Sequence, residues 1–183
     1  MDTPDTRPHE NSYWIHKGTL MAGEYPGHPA AGNAKARVAR HIEAGISFFL
    51  DLTEEHELAP YTPHLPSHHP GSGLPVVHTR MPIRDVNVPK SAEEMTAILD
   101  CIDGALEQGH TVYVHCWGGR GRTGTVVGCH FVRRGATGQD ALLRLAELWK
   151  TVAKSAWKPT SPETNAQRSF VLAWEGRERG GSR

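Results

Sequence analysis

Cys116 and Arg122 bracket a seven-residue loop, Cys-Trp-Gly-Gly-Arg-Gly-Arg, that contains Gly118, Gly119 and Gly121. Cysteine is a strong nucleophile only as thiolate, and helix N-termini or nearby cations lower its pKa from about 8.5 to roughly 3.5–7.5. A glycine-rich loop running into a helix supplies that setting, because successive N–H groups and the positive end of the helix dipole converge on one point. The planar fork of Arg122 can fold back and grip two oxygens of a tetrahedral anion. The implied chemistry is a sulfur nucleophile beneath a phosphate or sulfate-type anion held at loop 116–122. Attack on a phosphate monoester also needs a proton for the leaving oxygen, and a placed carboxylic acid contributes about 10²–10⁴-fold in rate. Asp85, in Met81-Pro-Ile-Arg-Asp85-Val-Asn-Val-Pro89, lies 31 residues before the cysteine and is the candidate. Its neighbour Arg84 works against that role, since a nearby cation favours the charged carboxylate. On an extended segment the two side chains point apart.

These residues need elements to hold them. Residues 111–114 are β-branched and aromatic after a break at Gly109, which predicts a buried strand entering the loop. From Thr123 the positions Val126, Val127, His130 and Phe131 predict a helix, closed by Arg133-Arg134 and a Gly135 cap. Residues 76–81 predict the strand before Asp85. Ser91 and Glu94 open a helix over 91–108 whose stripe is Met95, Ile98, Leu99, Ile102 and Leu106. The apolar run 46–52 suits the middle of a sheet covered on both faces. Short strands are expected over 13–15 and 19–23. Helices are expected over 33–44, over 137–149 and from Ser161, the last with Ala166, Phe170 and Trp174 recurring every fourth residue. Residues 53–75 read as loop. Strands alternating with helices imply one α/β domain with a central, mostly parallel sheet flanked by helices. The Cys116 and Asp85 loops then share the carboxyl edge of the sheet, where such folds place ligands. The expected boundaries are a disordered lead-in over 1–11, a catalytic domain over 12–177 and a loose tail over 178–183.

The stretch His115-Cys116-Trp-Gly-Gly-Arg-Gly-Arg122-Thr123-Gly124 resembles the signature loop of cysteine-based protein tyrosine phosphatases, particularly their compact dual-specificity-like group. Asp85, followed by Pro89-Lys-Ser91, resembles the general acid of that branch. The resemblance implies hydrolysis of phosphotyrosine, and of phosphoserine or phosphothreonine, in a phosphorylated protein or small phosphate ester. The route is a cysteinyl-phosphate intermediate, without metal or cofactor. It implies that Thr123 hydrogen-bonds the cysteine sulfur as it departs, a role compatible with capping the helix start. His115 would orient the loop from beneath. Trp117 and Arg120 occupy variable loop positions with outward side chains that could touch substrate, although a solvated Arg120 is an equal alternative. Gln167 resembles the residue that places the hydrolytic water in larger tyrosine phosphatases. Glu163 stands where that segment has its first glutamine, however, so plain helix surface is the preferred reading of Gln167.

With 20 basic and 20 acidic residues the formal net charge is zero, so nothing points to nucleic acid as a partner. Basic character should be local, at Arg120 and Arg122. Three cysteines without framework spacing suit a reducing compartment, where a thiolate survives. The polar start lacks the apolar core of a signal peptide and no run approaches a membrane span, so a cytoplasmic protein is expected. His56, His64, His68, His69 and His78 crowd a proline-rich stretch but lack metal-site spacing, and no metal is assigned. Cys101 and Cys129 are expected in the core, with a disulfide to Cys116 left open. Two rivals remain. One is a phosphoinositide or inositol phosphate phosphatase, for which Arg120 could hold an extra phosphate although the loop lacks the lysines common in such enzymes. The other is a non-catalytic phosphate-binding module, disfavoured by the joint presence of Cys116, Arg122 and Asp85.

Overall fold

The computed structural model describes residues 6–180. Side-chain alternation along three strands explains the layers. In β2 (Leu20–Gly23), β3 (Phe48–Asp51) and β5 (Val112–His115), Leu20, Ala22, Phe48, Leu50, Val112 and Val114 enter one core, while Met21, Phe49 and Tyr113 enter another on the opposite face. A sheet apolar on both faces must be covered on both. The first face carries α2 (Ala92–Glu107), α3 (Arg122–Arg133), α4 (Gly138–Lys150) and α5 (Asn165–Gly180). The second carries α1 (Ala31–Glu43) through Val38 and Ile42, together with Tyr61 from the long loop after β3.

With β1 (Ser12–His16) and β4 (Val77–Arg80) the sheet has five strands in the order β1-β2-β5-β3-β4. β1 is antiparallel to β2, and the other neighbours are parallel. The chain is therefore a single α/β domain with a mixed, mostly parallel sheet flanked by helices. Register aligns the last residues of four strands in one row: Gly23, His115, Asp51 and Arg80. Whatever follows these strands meets at one edge.

Three expectations need correction. Residues 7–11, read as part of a loose lead-in, are tied down: Arg7 donates to the carbonyls of Ser12 and Thr151, and Lys154 N–H donates to Asn11. Residues 1–5 lie outside the described residues. The last helix begins at Asn165 rather than Ser161 and runs to Gly180, past the expected start of the tail, while 181–183 lie outside the described residues. Its buried face is Gln167, Val171 and Trp174, with Phe170 half-buried and Ala166 exposed. Thr164 explains the later start. Its hydroxyl accepts from the Gln167 N–H, and the Gln167 side chain reaches back to the Glu163 and Thr164 amides, a capping box at Thr-x-x-Gln.

Candidate active site

Four loops leave the aligned strand ends, and each delivers a polar side chain. Glu24 follows β2, Cys116 follows β5, Glu57 lies in the loop after β3 and Asp85 in the loop after β4. Glu24, Asp85, Cys116, Gly118, Arg120, Gly121 and Arg122 all line one cavity of about 390 Å³.

The Cys116 loop is fastened by its carbonyls. Trp117 O accepts from Tyr25 N–H at 3.0 Å, Gly118 O from Lys154 Nζ at 3.0 Å, and Arg120 O from Ser161 Oγ at 2.7 Å. Gly121 O accepts from both the amide and the hydroxyl of Thr125, at 3.0 and 2.8 Å. Among the described residues no protein acceptor meets the amides of residues 117–121. Carbonyls bonded outward leave the N–H groups to the other side of the loop. Gly119 permits the close packing: its φ is +68°, and a Cβ there would stand 2.4 Å from Gly23 C. Cys116 itself is 3% exposed. Cys101, Cys116 and Cys129 are free thiols, with burial raising the pKa of Cys101 and Cys129.

Arg122 is 1% exposed and heavily engaged. Its two terminal nitrogens form a fork on Glu57, at 2.8 and 2.7 Å. One also donates to Ile83 O at 3.1 Å, and the other lies 3.0 Å from Asp85 Oδ1. Glu57 therefore occupies the end of the fork expected to grip an anion. The remaining edge, Nε with the nitrogen that now meets Asp85, is the second two-pronged face of a guanidinium. Burial alone raises the Glu57 pKa, yet hydrogen bonds from Arg122 and the Glu54 amide outweigh it and hold the carboxylate below its ordinary range. The cation beside Asp85 is thus Arg122; exposed Arg84 makes no ion pair with it among the described residues. The Asp85 side chain is 51% exposed. Its successor Val86 sits at φ +54°, a rare conformation for a β-branched residue, and His56 beside Glu57 sits at φ +65°. Both carboxylates on Arg122 therefore flank strained backbone.

Beneath the loop lies a buried polar frame. His115 Nδ1 faces Cys116 O at 3.3 Å, and Nε2 faces the Tyr61 hydroxyl at 2.8 Å. A carbonyl only accepts, so Nδ1 carries the proton and Tyr61 donates to Nε2. Burial lowers the His115 pKa to about 4, the opposing pull of Asp51 being too weak. Asp51 accepts from His78, Thr53 and Arg80, and the bonds from His78 and Thr53 help outweigh its burial and hold it far below the ordinary range. His115 thus supports the loop from below. Thr123 is buried, and among the described residues its hydroxyl makes no hydrogen bond, so the bond to the sulfur implied by the resemblance is not formed here.

A family model for the dual-specificity-type phosphatase domain of Swiss Army Knife proteins matches residues 9–171. The chain belongs to that family. A putative tyrosine phosphatase 067L of Invertebrate iridescent virus 3 is 28% identical over 149 residues, 73% of this chain and 55% of the viral protein. The chain thus spans about half the length of that curated relative. Among solved structures, Tk-PTP in its active form has a TM-score of 0.67 at 23% identity, covering 91% of this chain and 97% of that one. PTPMT1 in complex with PI(5)P scores 0.67 at 14% identity, covering 94% and 99%. At such identities these two share the fold.

Within this dual-specificity-type domain the cavity mouth corrects two further readings. Arg120 is not a free, solvated side chain: it donates to Thr160 O, Thr160 Oγ1 and Glu163 Oε1 while still lining the cavity. Gln167 is buried rather than on the helix surface, and its Nε2 donates to Asn87 O of the Asp85 loop. A Cβ on Gly121 would lie 3.0 Å from its amide, so Gln167 sits against both loops. The signal for it was present in Thr164-x-x-Gln167. Trp117 points outward as expected, 61% exposed. Sequence reasoning missed Glu57, Glu24, Lys154 and Trp157, which carry no local pattern. The histidines of 56–78 do not converge: His69 bonds Ile42 O, His78 bonds Asp51, and among the described residues no group of three metal-ligating side chains is found. Likewise, no helix among the described residues is long and apolar enough to cross a membrane.

Proposed function

We propose that this domain hydrolyses phosphate monoesters through a cysteinyl-phosphate intermediate, with phosphotyrosine-bearing protein as its favoured substrate class. The observation that carries the reading is the Cys116 loop with its carbonyls bonded outward and the amides of 117–121 without protein acceptors. Such amides can take the equatorial oxygens of a phosphoryl group, and donors fixed before the reaction cost no reorganisation when charge redistributes. Glu57 holds the end of Arg122, so its side edge completes the cradle. A phosphate on that edge displaces Asp85 from the shared nitrogen.

The Cys116 thiolate attacks phosphorus in line, the ester P–O bond breaks, and the released Asp85 carboxyl gives its proton to the leaving oxygen. As carboxylate, Asp85 then takes a proton from water, which attacks the phosphocysteine. The S–P bond breaks and inorganic phosphate leaves. Thr123, whose buried hydroxyl is unspent, is the candidate donor to the departing sulfur. Gln167, bonded to Asn87 O, positions the acid loop.

Among the described residues, Val86, Trp117 and Trp157 are three of the five large apolar side chains that stand exposed, and all three line this cavity. An apolar mouth over a polar floor favours an aryl ester. The inositol phosphate alternative needs cations for further phosphates; Arg120 is bonded to Glu163 and Lys154 to Glu24, which leaves Lys158 as the cavity lysine without an ion pair among the described residues. A nucleophilic thiol also fits a reducing, cytoplasmic setting. Comparing kcat/KM across an aryl phosphate, phosphotyrosyl and phosphoseryl peptides and inositol phosphates tests the assignment. The expected order places tyrosyl peptides first. Binding of phosphate without any turnover would make the domain a phosphate-binding module instead.

A further inference from the structure

Three cavities follow one another from the Cys116 loop, each sharing walls with the next. The first shares Glu24 and Trp117 with a second of about 240 Å³. The second shares His28 and Arg37 with a third of about 270 Å³. Trp117 thus stands as an exposed indole between the first two, and Arg37 stands between the last two.

Their chemistry changes along the row. Tyr25, Pro29, Leu58 and Ala59 make the second cavity largely apolar. The third is lined by Arg37, Arg40, His9 and His28, with no carboxylate among its walls. Arg37 is fixed in place, one nitrogen donating to Glu24 Oε1 at 3.0 Å and Tyr25 O at 2.9 Å. Arg40 is exposed and has no carboxylate partner among the described residues. α1, which carries both, bears Lys35, Arg37 and Arg40 against Glu43 alone. In a chain with equal numbers of acidic and basic residues, that is a local excess of positive charge.

We propose that the three cavities form one peptide groove, with a phosphorylated residue over Cys116, an apolar neighbour beside Trp117, and an acidic residue at Arg40. The proposal rests on the phosphatase reading above and adds a sequence preference to it. Charge complementarity selects the occupant: an acidic flank meets unpaired Arg40, whereas a basic flank meets like charge. The contact is solvent-exposed, so the preference is modest and salt-sensitive.

The test walks a single glutamate along both flanks of a phosphotyrosyl peptide built from alanine and glycine, with a small aryl phosphate as reference. At one offset on one flank, glutamate should raise kcat/KM about fivefold at low salt, chiefly through KM. Arg40→Glu should abolish that gain and transfer it to a lysine at the same offset. A flat profile at every offset overturns the groove, as does a gain that survives Arg40→Glu. So does a preference for inositol phosphates that Arg40→Glu weakens, which would give the third cavity to a polyphosphate. If the aryl phosphate is not hydrolysed, the phosphatase reading has failed on its own. Anisotropy of fluorescein-labelled acidic and neutral peptides then decides the groove: acidic preference lost in Arg40→Glu supports it, and equal binding overturns it.

Discussion

The loops that carry Cys116 and Asp85 leave strand ends at the same sheet edge, yet they are held very differently. Of the six carbonyls from Cys116 to Gly121, five accept hydrogen bonds, from the His115 ring, Tyr25, Lys154, Ser161 and Thr125. The segment from Arg84 to Asn87 is exposed, and Val86 there is strained. Beyond its own turn, it is held chiefly by Gln167 at Asn87 O and by Arg122 at Asp85. A fixed cradle suits a group that must bind the same phosphoryl each cycle. Under the proposed mechanism, a lightly held Asp85 suits a loop that must admit an ester and then close over it.

Replacing Asp85 tests the lightly held partner and should give the largest effect of any substitution that leaves the nucleophile in place. Asp85→Asn should lower kcat by about 10²–10⁴-fold on esters with poorly acidic alcohols. The loss should shrink as the leaving group becomes a better anion, read as a steeper dependence of kcat on leaving-group pKa. A uniform loss across leaving groups would give Asp85 a structural role.

The contrast between the loops also governs how far each could be read in advance. The cradle is local in sequence: a cysteine, three glycines and an arginine between a strand and a helix state their own geometry. The position of Asp85 was legible from its place between a strand and a capped helix. Glu57 was not, because it reaches Arg122 from 65 residues away and sits in a proline-rich loop without periodicity. Nothing local announces such a contact. Gln167 was misread for a different reason. Glu163 in place of the segment's first glutamine favours plain helix surface, and a helix expected from Ser161 with a stripe on Ala166 hides the capping box at Thr164 that sets both the start and the buried face. The sheet was legible throughout, since strands apolar on both faces have one way to be covered.

Gly119→Ala probes the fixed loop. Positive φ and backbone 2.4 Å from the new Cβ should cost about 1–3 kcal/mol in stability, measured by denaturant midpoint, with loss of phosphate affinity. Unchanged affinity would mean the loop is not held as described. Glu57→Gln acts on the arginine both loops share. Freeing the end of Arg122 should raise KM for an aryl phosphate about tenfold, near 1.4 kcal/mol, with a smaller change in kcat. A loss confined to kcat would argue that Glu57 works through Asp85 instead.

The smallest expected effect at neutral pH concerns the frame beneath the cradle. Burial lowers His115 to about 4 from the 6.5 of an exposed histidine. Between those values the unfolded chain binds the proton that the folded chain excludes, so stability is full above about pH 6.5 and falls as pH drops toward 4. His115 contributes up to about 3 kcal/mol to that fall. Tm should therefore decline between pH 6.5 and 4.5, and less steeply in His115→Asn. Equal slopes would remove His115 from the account.

The central claim is that the Cys116 sulfur attacks a phosphoryl group held by its own loop. Cys116→Ser keeps the cradle and replaces the nucleophile with one far less reactive. Measured side by side, turnover of an aryl phosphate should vanish while binding of the same ester, followed by titration calorimetry, persists. Turnover that survives the substitution would contradict the mechanism.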